Sequence, residues 1–265
     1  MFDMTILEAI ILGILQGLTE FLPVSSSGHL VLLQRIFGLE EGVFTFIIVV
    51  HVATLIPVLF VYYNRIKSLV KNPLQKLTFL LFLGTVPTVI AALLLGDFID
   101  TLFSGNFLAF GFAVTGIALI LTDYSKGGSK NLETMTRWDG LIVGLSQALA
   151  IMPGISRSGA TIAGAVSRDL DRESAVNFSF LLSIPAIAGA TVLEVMHMFR
   201  GQTDVAFVLT APVVIGFFAA MISGYFSIKI MLRIVAASKL RYFAYYLILL
   251  AVLIVGDQIF FNLVF

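Results

Sequence analysis

Six stretches of this chain, roughly 43–63, 76–96, 106–122, 174–199, 207–232 and 242–263, are almost unbrokenly apolar. Each is near the ~20 residues that a helix needs to cross the hydrocarbon of a bilayer. Composition agrees with that reading. Of 265 residues, 59% are hydrophobic and 12% are charged, about half the ~25% usual in soluble domains, and mean hydropathy is +1.03. So few charged side chains cannot coat a soluble particle of this size. The expected fold class is an all-α polytopic membrane protein.

Two further stretches, 5–36 and 138–167, are apolar but broken in the middle by Pro, Gly and Ser. Each is either one kinked span or a helix pair that dips in and turns back. Non-helical backbone at membrane depth is tolerated only where protein or a wet cavity satisfies it. Basic residues favour the cytoplasmic side, and that rule chooses between the two readings. If both stretches are re-entrant, Arg65, Lys67, Lys71, Lys76, Lys126, Lys130, Arg137, Arg168, Arg172, Lys229, Arg233, Lys239 and Arg241 fall on one face. Arg35 and Arg200 lie opposite, and Arg157 sits in the second break. One full crossing in place of either hairpin would scatter the basic loops to both sides. The expectation is therefore six transmembrane helices plus two re-entrant hairpins, with both termini outside.

No polar linker divides the chain, so residues 1–265 read as one membrane domain; the polar run at 123–137 is a loop between membrane segments. The absence of cysteine excludes disulfides, iron–sulfur clusters and thiolate zinc sites. The start, M-F-D-M-T-I-L-E, lacks the basic region of a cleavable signal. Net charge is zero and says nothing about partners; no nucleic-acid partner is expected.

Sliding the sequence by 131 positions lays Gln16 on Gln147, Leu18 on Leu149, Ser25 on Ser156, Ser27 on Ser158 and Gly28 on Gly159, and continues ungapped to place Leu39-Glu40 on Leu170-Asp171. Such an offset, near half the chain, implies a duplication with repeats of about 5–125 and 136–263. Three expected crossings separate the copies, an odd number, so the halves point in opposite directions. Hairpins entering from opposite faces can meet near the midplane, the inverted-repeat plan in which broken helices build a binding site.

The polar residues gather in those breaks. In Q-G-L-T-E-F-L-P-V-S-S-S-G-H (16–29), Gln16 and Glu20 are spaced i, i+4 and share a helix face. Pro23 can end that helix, and a new one can start within Ser25-Ser26-Ser27, since hydroxyl residues favour N-caps. His29 lies one turn further on, close enough to exchange a proton with one of the serines. In M-P-G-I-S-R-S-G-A-T (152–161), Pro153 and Gly154 make the turn, Ser156 and Ser158 supply hydroxyls, and Gly159 permits close backbone approach. Arg157 adds a permanent charge whose fork of donors suits phosphate; an intramembrane arginine is costly and points to function. With the two helix N-termini, which bind anions, these groups would line a cavity for a phosphate-like anion. The expected substrate contacts are Gln16, Ser25, Ser27, Gly28, Ser156, Ser158 and Gly159. His51 and His197, lone histidines within spans, read as structural.

The two motifs resemble those of the undecaprenyl-diphosphate phosphatases, the BacA or UppP family, in order, spacing and surrounding hydropathy over the whole chain. The resemblance implies a plasma-membrane phosphatase that removes one phosphate from a polyprenyl diphosphate. In bacteria this recycles the carrier lipid for cell-wall sugars, and overproduction confers bacitracin resistance. Carried over by position, it makes Glu20 the catalytic glutamate, Ser26 the nucleophile, His29 the catalytic histidine and Arg157 the phosphate-binding arginine. It also implies a divalent cation, Mg2+ or Ca2+, held by Glu20 and position 16. Many members carry Glu at that position and this chain has Gln16, which leaves one carboxylate fewer for a metal. Two mechanisms are open: attack by Ser26 with His29 handling the proton, or water activated directly by Glu20 or His29. The rival reading is an inverted-repeat lipid-phosphate transporter or flippase, alone or combined with hydrolysis. Oligomeric state is open, a homodimer included.

Overall fold

The structure is a computed structural model that describes residues 4–39, 43–102, 107–125, 127–199, 209–236 and 239–264. Glu40, Lys126 and Arg200, along with residues 1–3, lie outside the described residues, as does the side chain of His197. In chain order the helices are α1 (Ile6–Phe21), α2 (Ser26–Phe37), α3 (Val43–Val61), α4 (Tyr63–Lys71), α5 (Lys76–Leu102), α6 (Leu108–Tyr124), α7 (Arg137–Leu149), α8 (Arg157–Ser167), α9 (Arg172–Phe199), α10 (Ala211–Ala236) and α11 (Arg241–Gly256), the last continued by a π-helical turn at Asp257–Phe261. No β-strand occurs among the described residues; an isolated bridge joins Lys130 to Leu170.

Each expected apolar stretch forms helix over most of its described residues, but not every one is a simple span. Four segments, Lys76–Gly96, Arg172–Met196, Ala211–Ile234 and Arg241–Phe261, are long and apolar enough to cross a bilayer. The stretch expected over 43–63 turns by 84° between α3 and α4. The change is chemical: α4, Y-N-R-I-K-S-L-V-K, is basic and amphipathic and has no buried residue, unlike the apolar α3 before it. The stretch expected over 106–122 forms α6, with 17 residues, about 25 Å at 1.5 Å per residue.

Both broken stretches break where the residues dictate. Leu22 caps α1 in extended conformation (ψ 146°), as the residue before a proline prefers, and Ser25 caps α2, its Oγ accepting the amide of Gly28 at 3.3 Å. In the second stretch Gly154 turns the chain at φ +82°, and Ser156 caps α8, its Oγ accepting the amide of Gly159 at 3.1 Å. The likeness extends to the starts of α1 and α7. Thr5 with Glu8, and Thr136 with Asp139, form matching capping boxes, and the four residues pair at the same offset of 131 positions.

Each broken stretch returns to the end of the molecule where it began. At one end, Asp139 at the start of α7 accepts Arg168 Nε, just beyond α8, at 3.0 Å, and Lys130 Nζ at 3.2 Å. Arg172 and Arg241 reach Asp123 at that same end, and Lys76 Nζ donates to the carbonyl of Glu133 at 2.6 Å. At the other end Met4, before α1, shares an apolar cluster with Phe37 and Leu39, at and beyond the end of α2. There Arg35 donates to the carbonyl of Val264 at 3.3 Å.

The helices pair across the halves: α1 with α10 and α7 with α5, α3 with α10 and α9 with α5, and α6 with α11. Exchanging the first half for the second maps these pairs onto one another, whereas the packing of α8 on α6 and α9 has no counterpart of equal extent at α2 among the described residues. The central core is built chiefly from α5, α8 and α9, with Phe21, Phe178 and Phe180 fully buried, and both breaks lie inside the protein.

Candidate active site

The two breaks meet. Glu20, on the last turn of α1, and Arg157, the first residue of α8, are 137 positions apart in sequence, yet Arg157 Nη2 donates to Glu20 Oε1 at 2.6 Å. Both side chains are sheltered, at 6% and 15% exposure. Glu20 Oε2 accepts Ser26 Oγ at 2.7 Å and Gln16 Nε2 at 3.0 Å. The carboxylate thus gathers a guanidinium, a hydroxyl and an amide from three helices. Losing one partner of a buried ion pair costs about 3–5 kcal/mol, so the pair locks the tips together as well as holding charge.

The remaining expected site residues divide by what they touch. Ser158 Oγ donates to the carbonyl of Leu22 at 3.0 Å and lies 3.2 Å from Ser156 Oγ, stitching the second tip to the first. Gly28 packs against Phe112 and Gly154; a Cβ there would stand 2.7 Å from the Phe112 ring. Gly159 leaves room for Thr115 and Ser156, each a little over 3 Å from where its Cβ would be. Ser27 is half-buried with its Oγ 3.4 Å from Ser25 Oγ. Ser25 and Ser156 spend their hydroxyls on caps. The first amides of α2 and α8 have no intrahelical acceptor, so both N-termini present N–H groups at the junction.

His29 is placed differently from its expected role. Its Nδ1 is 2.8 Å from the backbone carbonyl of Ser25, and its Nε2 is 2.7 Å from the Tyr246 hydroxyl. The hydroxyl of Ser26 goes to Glu20 instead.

Three contributors escaped the sequence reading. His51, on α3, brings Nε2 to 3.9 Å from Glu20 Oε2, while its Nδ1 meets the carbonyl of Ile47 at 2.8 Å. Ser179, on α9, accepts Arg157 Nη1 at its carbonyl at 3.3 Å and bonds Thr161 through its hydroxyl at 2.6 Å. Tyr246, on α11, holds His29. Tyr246 stands 131 positions after Thr115, which touches the second break, a correspondence visible only once the fold is known.

The donor set suits a divalent cation in one limited way. Among the described residues no group of three or more His, Cys, Asp or Glu side chains is placed to hold a metal. Gln16 Oε1, however, is buried beside Glu20 without any hydrogen-bond partner. An unpartnered amide oxygen next to a carboxylate fits a hard cation that brings its other oxygens as water or diphosphate.

Comparison with known proteins identifies the family. The family model described as bacitracin resistance protein BacA matches residues 9–253. The chain is 50% identical over 252 residues to an undecaprenyl-diphosphatase of Carboxydothermus hydrogenoformans, covering 95% of this chain and 97% of that one. It is 42% identical over 253 residues to undecaprenyl-diphosphatase 4 of Bacillus cereus, with the same coverage. To an undecaprenyl-diphosphatase of Halothermothrix orenii it is 40% identical over 255 residues, covering 95% and 98%.

Proposed function

The chain belongs to the bacitracin resistance protein BacA family, and from that membership and the geometry of the two breaks we propose that it is an undecaprenyl-diphosphate phosphatase. It hydrolyses the lipid diphosphate to monophosphate and phosphate, which recycles the cell-envelope carrier lipid and confers bacitracin resistance. The observation that carries this reading is the Glu20 carboxylate, with Arg157 at 2.6 Å on one oxygen and Ser26 Oγ at 2.7 Å on the other. In this reading Ser26 is the nucleophile, Glu20 the proton acceptor and Arg157 the phosphate-binding cation, and their closeness supports it. The relatives' names give no support to the transporter reading.

Phosphoryl transfer asks the protein mainly for alignment and charge neutralisation. Arg157 and the amides at the N-termini of α2 and α8 hold the terminal phosphate, and Ser27, on the first turn of α2, lies within the same junction. Ser26 Oγ attacks the terminal phosphorus and passes its proton to Glu20 Oε2. The bond from phosphorus to the bridging oxygen breaks, and polyprenyl monophosphate leaves. Water then attacks the phosphoserine; Glu20 returns its proton to Ser26 Oγ, and dihydrogen phosphate departs. The hydrogen bond from Ser26 to Glu20 favours this route over direct activation of water. Glu20 and Gln16 Oε1 would hold the magnesium or calcium ion, which when bound would neutralise diphosphate charge.

The reading extends to the whole chain, with six spans and two re-entrant hairpins as inverted repeats of one membrane domain, both termini outside the plasma membrane. Its support is the shared offset of caps and capping boxes, the pairing that survives exchange of the halves, and the opposite ends at which α1–α2 and α7–α8 open. The prenyl tail lies among the lipid-facing helices, where lipid already solvates it.

The test is phosphate release by the purified chain from undecaprenyl diphosphate, with magnesium and with chelator. Release that requires the cation is the expected result. No release under either condition, with the protein monodisperse, would overturn the assignment.

A further inference from the structure

The turn that presents Ser26 is held in an unusual conformation. Ser25 has φ +68° and ψ 95°, in a region that a non-glycine residue occupies only when its surroundings impose it. Its counterpart Ser156 has φ −75°, so the constraint belongs to the first break. The carbonyl of Ser25 lies 2.8 Å from His29 Nδ1. A carbonyl can only accept, so Nδ1 carries hydrogen and the neutral ring's Nε2 is left to accept the Tyr246 hydroxyl at 2.7 Å. The Tyr246 ring stacks on the imidazole with centroids 5.6 Å apart and planes within 17°. Phe112 meets the imidazole edge-on at 5.3 Å. Both imidazole nitrogens are therefore engaged, and neither is engaged by Ser26.

The second break has a matching support. Thr115 Oγ1, on α6, accepts the amide of Ser156 at 3.0 Å. Thr115 and Tyr246 stand at the repeat offset on the paired helices α6 and α11. Each break is thus pinned at its cap by a hydroxyl from this helix pair, directly at Ser156 and through His29 at Ser25.

We propose that His29 and Tyr246 act as a positioning clamp: their hydrogen bonds hold the Ser25 backbone in its left-handed turn and so keep Ser26 on Glu20, with no proton passing through the imidazole. The clamp rests on the reading of Ser26 as nucleophile. It assigns Tyr246 a part in the reaction and gives His29 a part different from proton transfer.

Asparagine separates the two roles, because its amide can donate to the Ser25 carbonyl as Nδ1 does but cannot shuttle a proton at neutral pH. With the purified full chain and undecaprenyl diphosphate, H29A is expected to lower kcat about 100-fold, the scale of a small misplacement of a reacting group. H29N is expected to recover to within about tenfold of the parent. Y246F, which keeps the ring and loses the hydroxyl, is expected to lower kcat roughly three- to tenfold with KM within about twofold. H29N as inactive as H29A, in protein that elutes and melts like the parent, would make the imidazole a proton carrier and overturn the clamp. Y246F kinetics equal to the parent's would remove Tyr246 from it. Should H29A fail to fold, H29N and Y246F still decide. Full activity in S26A would defeat the underlying reading separately. Nitrogen-15 histidine spectra supply a readout free of turnover: hydrogen on Nδ1 of His29, with Nε2 shifting in Y246F, supports the clamp, and hydrogen on Nε2 in the neutral parent ring contradicts it.

Discussion

Glu20 concentrates the consequences of single substitutions. Its charge is buried against Arg157 at 2.6 Å, and the other carboxylate oxygen already accepts two hydrogen bonds. Arg157→Ala strands that charge, and the expected loss of stability is about 3–5 kcal/mol, read as a fall in thermal midpoint of the purified protein. Arg157→Lys keeps a positive charge but loses the planar fork, and should melt between the two. Gln16 and the capping serines were legible in the sequence because their partners lie within a few positions, and Glu20 and Arg157, 137 positions apart, because each stands as a charge in one of the two polar breaks. His51 and Tyr246 were not. His51 is a lone polar group in an apolar run, Tyr246 is one of three tyrosines in a short stretch, and the Tyr246 partner is 217 positions away; only the fold brings such residues to the break.

At the scale of elements, the α7–α8 hairpin is tied at its open end by Asp139. Its carboxylate is buried, which opposes ionisation. Hydrogen bonds from the Thr136 amide and hydroxyl, Lys130 and Arg168 outweigh that cost and hold its carboxyl below the ordinary value. A depressed carboxyl stabilises fully above its unfolded value, about 3.9, and that contribution is lost as pH falls through the lower folded value. Asp139→Asn is expected to cost about 2 kcal/mol at neutral pH. The gap between parent and variant in thermal midpoint should begin to narrow below about pH 4 and close only as pH falls past the lower folded value. The hairpins themselves were readable, because proline and serine break apolar runs visibly. The bend between α3 and α4 was less so: a run of apolar residues shows where a helix can cross, while the abrupt 84° turn depends on the basic, amphipathic segment that follows.

For the whole molecule, the claim is two halves threaded from opposite faces. The chain has no cysteine, so single introduced cysteines report sidedness without background. Glu133→Cys lies at the end where α7 and α8 open, and Leu263→Cys lies at the other, with Leu263 82% exposed. An impermeant maleimide should label position 263 in intact cells and position 133 only after permeabilisation; labelling of both in intact cells would contradict the inverted arrangement. The 131-residue offset is what suggests two related halves in the sequence, whereas the cross-pairing of α1 with α10 and α7 with α5 leaves no local trace in sequence.

The most direct measurement is phosphate release from undecaprenyl diphosphate by purified parent, Glu20→Gln and Arg157→Gln proteins, each first shown to be folded. If one site is assembled from both tips, either substitution lowers kcat/KM by about a thousandfold or more. A folded variant of either kind that stays within about tenfold of the parent would contradict the shared site.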